Sequence, residues 1–347
     1  MKIIEPNIGQ KEIDYVTKAL VETQVGGRSL IVKEFESKFA EYVGVKYTVA
    51  CNSGTSALFL AIKALKLTGE VIIPDFAFIA VANAVKMAGL EPVLVDSSDV
   101  SVNLDPREVG EAITPRTSAS IAVDTYGEPC SNDLAQIADD NDLVLIEDLA
   151  EAVGKKGIIG KVACYSFFAN KTMTTGEGGM VVTNDEAVYK ELLRLTERAS
   201  KKSFTYPYMA YSFRLSAIQA ALGLAQLERL DSFKERKQLN AALYFEGLSD
   251  ILDFIKTGEQ WIAAGLACNE EERDAILAEL ERNGIEGRRF FPPIHTQKVY
   301  LQKDEFPNAT DYWKRGICLP SGTTLKVEDI NTVIKIITQW KSSQTSK

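Results

Sequence analysis

The sequence predicts an α/β protein: a mostly parallel seven-stranded sheet covered by helices on both faces, followed by a smaller C-terminal α/β domain. Three observations point there. Short, continuous apolar strands alternate with helix-patterned segments, the mark of strands buried on both faces. The 347 residues are 46% hydrophobic and 25% charged, ordinary for a globular chain and enough for one large core and a lesser one. Residues 185–248 are strongly helical, after which the pattern changes, so a boundary is expected near Leu248, dividing 1–248 from 249–347.

Taken in order, Ile13, Val16 and Leu20 recur at helical spacing, as do Val32, Phe35, Phe39 and Val43. A strand from Tyr47 to Cys51 breaks at Asn52-Ser-Gly-Thr55 and enters a helix from Ser56 to Leu65. Strands follow at Val71 to Ile73, Pro92 to Val95, Ser120 to Val123 and Leu143 to Ile146. Helices near 79–87, 108–113 and 132–139 separate them. A short aromatic strand, Tyr165 to Phe168, runs into a polar loop, and Met180 to Thr183 forms the seventh. One long helix is expected from Ser216 to about Leu248. The second domain offers a strand at Trp261 to Leu266, a helix at Glu271 to Arg282, an Arg/Phe/Pro segment (Arg288 to Pro293) and a final helix, Val327 to Trp340. Lys341 to Lys347 reads as a frayed tail.

A net charge of −9 argues against non-specific binding to nucleic acid or to an anionic membrane. An anionic substrate would then need a locally positive site. Five scattered cysteines, with no C-x-x-C pair, suggest neither a disulfide frame nor a metal site. The polar start and the lack of a long apolar run lead to the expectation of a cytoplasmic protein without a membrane span.

Chemistry-bearing residues gather at predicted strand ends, where open α/β sheets bind ligands. Asn52-Ser-Gly-Thr55 opens a helix, so it reads either as an N-cap by Ser53 or Thr55 or as a phosphate cradle. Asp148 and Glu151 have capping-box spacing, which locally reads first as a helix start; the functional reading is a carboxylate that holds a ring nitrogen protonated. Ser166 lies on the aromatic strand and Lys171 in the loop after it. A lysine beside an apolar strand end is poised as an amine, the kind that forms Schiff bases with carbonyls and pyridoxal phosphate. Together these supply a phosphate cradle, a pyridinium carboxylate and a Schiff-base lysine, in the chain order of a fold type I pyridoxal phosphate enzyme.

Longer matches then fall into place: Glu34-Phe-Glu36, Asn52-Ser-Gly-Thr-Ser-Ala-Leu58, Ile146-Glu-Asp148, Ser166-Phe-Phe-Ala-Asn-Lys171, Thr174-Thr-Gly-Glu-Gly-Gly179 and Ile218-Gln-Ala-Ala-Leu-Gly223. With these, nearly the whole chain resembles the DegT/DnrJ/EryC1/StrS sugar aminotransferases. Arg288-Arg-Phe-Phe-Pro-Pro-Ile-His295 and Leu319-Pro-Ser-Gly322 are most similar to its perosamine-synthase-like subgroup, which aminates C4 of nucleotide-linked 4-keto-6-deoxyhexoses.

The resemblance implies pyridoxal 5'-phosphate as cofactor, with Lys171 as Schiff base and proton shuttle and Asp148 on the pyridinium nitrogen. Ser166, Gly54 and Thr55 would take the phosphate, Phe78 the ring face, and Glu151 a place near the ring hydroxyl. It implies L-glutamate as amino donor, a keto-deoxy sugar nucleotide as acceptor, a homodimer with sites at the interface, and a place in O-antigen or other surface-glycan synthesis. Amination at C3, or a sugar dehydratase, is the alternative; dehydratase relatives replace the lysine by histidine, which Lys171 contradicts. Arg288 and Arg289 are candidates for the nucleotide diphosphate or for a solvated face, with Lys201-Lys202 behind them. His295, the single histidine, is either substrate-facing or a turn residue. Two positions depart from the family. Asp124 stands where a histidine is common. Ser212 stands where an asparagine usually reaches the partner subunit's cofactor phosphate.

Overall fold

A computed structural model describes residues 1–196, 208–259, 261–302 and 304–345. Lys201 and Lys202 lie outside these residues. The chain opens with α1 (Gln10–Val21) and α2 (Leu30–Val43), then β1 (Tyr47–Cys51), α3 (Gly54–Ala64), β2 (Glu70–Pro74), α4 (Ala80–Met87) and β3 (Glu91–Val95). Next come α5 (Pro106–Ala112), β4 (Thr117–Val123), α6 (Asp133–Asp140), β5 (Val144–Asp148), β6 (Val162–Ser166) and β7 (Gly179–Thr183). Three helices follow: α7 (Glu186–Thr196), α8 (Ala217–Leu227) and α9 (Leu230–Leu248). The remainder is β8 (Asp253–Phe254), β9 (Ala263–Leu266), α10 (Glu270–Arg282), β10 (Arg288–Arg289), α11 (Pro307–Arg315), β11 (Gly316–Leu319) and α12 (Val327–Thr345).

The large sheet has the order β1-β7-β6-β5-β4-β2-β3. It is mostly parallel, as expected; β7 alone runs against its neighbours, pairing antiparallel with β1 and β6. Gly179 therefore faces both Cys51 and Ser166 across the ladder, which brings the ends of β1 and β6 to one level. One face is sealed by α3, α4 and α7, with Leu58, Leu60 and Val85 among the buried side chains. The other is sealed by α2 and α8 against Phe39, Tyr165 and Phe167. The aromatic rings of Phe39, Tyr165 and Phe167 meet edge-on at 5.1 and 5.3 Å, a favoured geometry for buried rings.

The second sheet, β10-β11-β9-β8, is antiparallel. It packs on α9, α10 and α12 through Tyr244, Leu280 and Val333. The first residues of the chain join it. Glu286 N–H donates to the Met1 carbonyl at 2.9 Å and Ser321 N–H to the Ile3 carbonyl at 2.8 Å, so a strap from the N-terminus lies on the later sheet.

Several expectations need correction. The aromatic strand runs from Val162 to Ser166, starting three residues and ending two residues earlier than expected, and Phe167 and Phe168 already belong to the loop. The long helix from 216 to 248 is two helices, broken at Glu228 and Arg229. There the Arg229 guanidinium turns to Glu12, fully buried, at 2.7 Å and to the Asn7 carbonyl at 3.3 Å. The supposed tail from Lys341 continues α12 as far as Thr345.

Candidate active site

A cavity of about 540 Å3 opens at the carboxyl ends of β4, β5 and β6. Two chain-level constraints shape it. First, the Thr174–Gly179 turn threads between β1 and β6: Gly176 has φ of +79°, and a Cβ on Gly179 would stand 2.3 Å from the Ser53 carbonyl oxygen. Only glycine permits that approach. Second, α3 begins directly against β6, where a Cβ on Gly54 would sit 2.9 Å from the Ser166 Cβ.

Ser53 resolves the first alternative of the sequence. Its Oγ accepts from Ser56 N–H at 3.1 Å and caps α3, leaving Gly54 and Thr55 to line the cavity beside Ser166. The second alternative resolves the other way. No helix starts after Asp148; the chain makes turns, and both Asp148 and Glu151 face the cavity.

Asp148 ends β5 and is 7% exposed. Its Oδ1 accepts from Ala150 N–H at 3.0 Å, and no ion pair holds it among the described residues. Burial pushes its carboxyl up to about 6, against the pull of Ala150 N–H and the positive charge of Lys171. Glu151 has one oxygen 3.4 Å from Lys171 Nζ, while the other accepts from Tyr126 N–H at 2.7 Å. The Lys171 amine also lies 4.1 Å from the centre of the Trp261 ring. Trp261 Nε1 donates to the Asn170 carbonyl at 2.8 Å, so the indole is fixed next to the lysine it covers.

Phe78 is 60% exposed, so it is not a core residue; it lines the cavity and meets Phe291 edge-on at 6.5 Å. Arg288 and Arg289 reach the cavity too, Arg288 held by Glu286 at 2.7 Å and Arg289 by Asp274 at 2.8 Å.

Other candidates stand elsewhere. His295 is away from the cavity wall: its Nδ1 is 2.6 Å from Asp75 Oδ2 and its N–H donates to Asp75 Oδ1 at 2.8 Å. Asp75 is wholly buried at the end of β2, so the pair ties the 291–296 segment to the large sheet. Ser212 lies outside this chain's cavity, its Oγ accepting from Arg214 Nη2 at 3.3 Å. Asp124 turns away as well, and binds Lys155 at 2.8 Å in a buried triad completed by Glu147 at 3.1 Å.

Sequence reasoning missed Tyr126, Trp261 and Cys318 as cavity residues. Tyr126 carries a signal only in hindsight. It precedes Gly127, where a Cβ would fall 1.8 Å from the Glu259 carbonyl oxygen, and is itself held at φ of +55°. Strain of that sort concentrates at functional sites.

A buried carboxylate with no cation partner among the described residues, an amine on the same cavity, and a glycine–serine cradle at a helix N-terminus fit a pyridine ring with a phosphate tail. The family model for DegT/DnrJ/EryC1/StrS aminotransferases matches residues 6–338. The chain belongs to that family.

Curated relatives agree. GDP-perosamine synthase of Escherichia coli O157:H7 is 35% identical, with 99% of each chain covered. That of Caulobacter vibrioides is 36% identical, with 98% of each covered. Among solved structures, DesV of S. venezuelae, in complex with a ketimine intermediate, superposes with a TM-score of 0.89 at 29% identity, covering 95% of this chain and 94% of that one. A putative sugar aminotransferase of Streptococcus pneumoniae, in its PLP form, gives 0.93 at 26% identity and covers 99% of each. The protein is thus a pyridoxal-phosphate-dependent sugar aminotransferase. No described helix is long and apolar enough to cross a membrane.

Proposed function

We propose that this protein aminates C4 of a nucleotide-linked 4-keto-6-deoxyhexose, with L-glutamate as amino donor, for a surface polysaccharide. The observation that carries the chemistry is the joint presence of Asp148, Lys171 and the Gly54–Ser166 cradle on one cavity. The choice of C4 is supported by full-length similarity to GDP-perosamine synthases.

Bound pyridoxal phosphate supplies an aldehyde that carries the amino group and a protonated ring that stabilises charge on the reacting carbon. Lys171 is the amine that would hold it and then move a proton to or from the donor α-carbon and the sugar C4. Glu151 and Trp261 keep that amine in place. Asp148, whose proton affinity is raised by burial, accepts the ring N–H. Ser166, Thr55 and the N–H groups at the start of α3 take the phosphate, where the helix dipole favours an anion. Phe78 offers an exposed ring for stacking on one pyridine face. Arg288 is the cavity-side cation for the nucleotide diphosphate. In this reading the protein works in the cytoplasm as a homodimer, with Ser212 donated across the interface.

Borohydride treatment of the cofactor-loaded protein followed by peptide mass spectrometry tests the core of the proposal. The label is expected on Lys171 alone, and Lys171→Ala is expected to keep its circular dichroism and lose transamination. A label elsewhere, or full turnover by the variant, overturns the assignment. Incubating glutamate with a panel of GDP-, dTDP- and UDP-keto-sugars, with NMR of the product, decides C4 against C3.

A further inference from the structure

A second lysine stands behind the first. Lys237, midway along α9, is 2% exposed, and among the described residues it is paired with no carboxylate. Its Nζ donates to the Trp261 carbonyl at 2.6 Å and to the Ser321 carbonyl at 3.2 Å. Trp261 is therefore gripped at both ends: the carbonyl by Lys237, the indole by Asn170, with the ring over the Lys171 amine. Between the two lysines lies a small polar void walled by Thr172, Thr174 and Gln226, and closed by the N-terminal strap from Ile4 to Asn7.

We propose that Lys237 is a positioning residue for Lys171, seating Trp261 over the reactive amine, and that it does so as a neutral amine. The proposal rests on the reading of Lys171 as the reactive amine. Donor counting motivates it. A neutral amine has two N–H groups for two carbonyls. An ammonium carries a third, which points into the void opposite a like charge. The titratable groups facing Lys237 are few. The 171–174 loop presents Lys171, the strap presents the exposed Glu5, and α8 presents Gln226, which in turn holds Glu12. Burial first, and then the charge on Lys171, pull the Lys237 proton affinity down to about 7. An ammonium donates more strongly to carbonyls, so protonation below that point would act through repulsion: two positive charges facing each other across the void would draw Nζ away from Lys171 and shift the indole with it.

The test uses cofactor-free protein carrying Trp313→Phe and Trp340→Phe, which leaves Trp261 as the sole indole of three. Its emission, followed from pH 5.5 to 9, is expected to show a one-proton transition near 7. Lys237→Met is expected to abolish the transition. Lys237→Arg, permanently charged, is expected to hold the acid-side emission at every pH. Lys171→Ala should move the midpoint upward, because the opposing charge is gone. A transition that persists in Lys237→Met, an Arg variant that titrates like the parent, or a parent with no transition overturns the proposal. Should the Met variant fail to fold, the Arg variant decides alone, since a side chain that stays charged throughout the range cannot show the transition. The measurement needs no cofactor, so it can fail while the borohydride label on Lys171 holds, and the reverse.

Discussion

Asp148→Asn separates what this site does for chemistry from what it costs in stability. The side chain is buried at the end of β5, accepts one backbone N–H, and has no cation partner among the described residues. Its carboxyl is lifted from 3.8 to about 6. An acid whose folded pKa is raised binds more protons in the folded chain than in the unfolded one between those two values. Stability therefore falls as pH rises through that window and stays low above it. At ~1.4 kcal/mol per pH unit, the penalty at pH 8 is ~3 kcal/mol. Asparagine is nearly isosteric, can still accept from Ala150 N–H, and carries no charge to bury. Cofactor-free Asp148→Asn is thus expected to be more stable than the parent by ~3 kcal/mol at pH 8, falling to roughly half that at pH 5. Urea unfolding at the two pH values reads both numbers. Added pyridoxal phosphate should stabilise the parent more than the variant, because only the parent has a carboxylate for the ring N–H, and turnover should fall. Equal stability of the two cofactor-free proteins at pH 8, or a gain unchanged between pH 8 and pH 5, would refute the reasoning.

Three further outcomes can be measured. Gly54→Ala puts a methyl group 2.9 Å from the Ser166 Cβ and 3.3 Å from its Oγ. It should weaken pyridoxal phosphate binding by ~10-fold or more in an absorbance titration, equivalent to ~1.4 kcal/mol. His295→Gln takes the imidazole from the wholly buried Asp75, leaving it the backbone N–H of residue 295, and should destabilise the fold by ~1–3 kcal/mol in urea, yet keep the borohydride label on Lys171. Lys237 has a lowered proton affinity, so the unfolded chain holds one more proton between about 7 and 10.5 and stability climbs with pH there. Lys237→Met should remove ~1.4 kcal/mol per pH unit from that slope.

How much of this was written in the chain depends on whether the deciding contact was local. The seven strands were legible, because strands buried on both faces must be continuously apolar, and the large sheet's strands are almost wholly so. That Lys171, Asp148 and Ser166 belong together was legible from their order in the chain and the motifs around them, and the three do line one cavity. The end of β6 was not. Tyr165-Ser-Phe-Phe168 has the composition of a strand, but pairing stops at Ser166, where the chain turns and Phe167 N–H donates to the Gly178 carbonyl instead. The break between α8 and α9 was invisible because Arg229 answers to Glu12, far away in sequence. Lys237 was hidden for the same reason, since its acceptors lie in residues 261 and 321.

The cavity carries both signs of charge. An acidic protein taking anionic substrates was expected to gather positive side chains locally. Yet the lining holds Lys171, Arg288 and Arg289 against Asp148, Glu151 and Glu177, and both arginines already have carboxylate partners. Side-chain charge alone leaves the cavity close to neutral. Attraction for a phosphate must then come from groups with no formal charge: the opening N–H groups of α3, the hydroxyls of Thr55 and Ser166, and the backbone approach that Gly54 and Gly179 allow. Such groups act at hydrogen-bond range and fall away quickly beyond it. That suits a cofactor held in one orientation better than a substrate drawn in from solution. It also explains why Gly54 and Gly179 sit where a methyl group would collide, the one with Ser166 and the other with the Ser53 carbonyl.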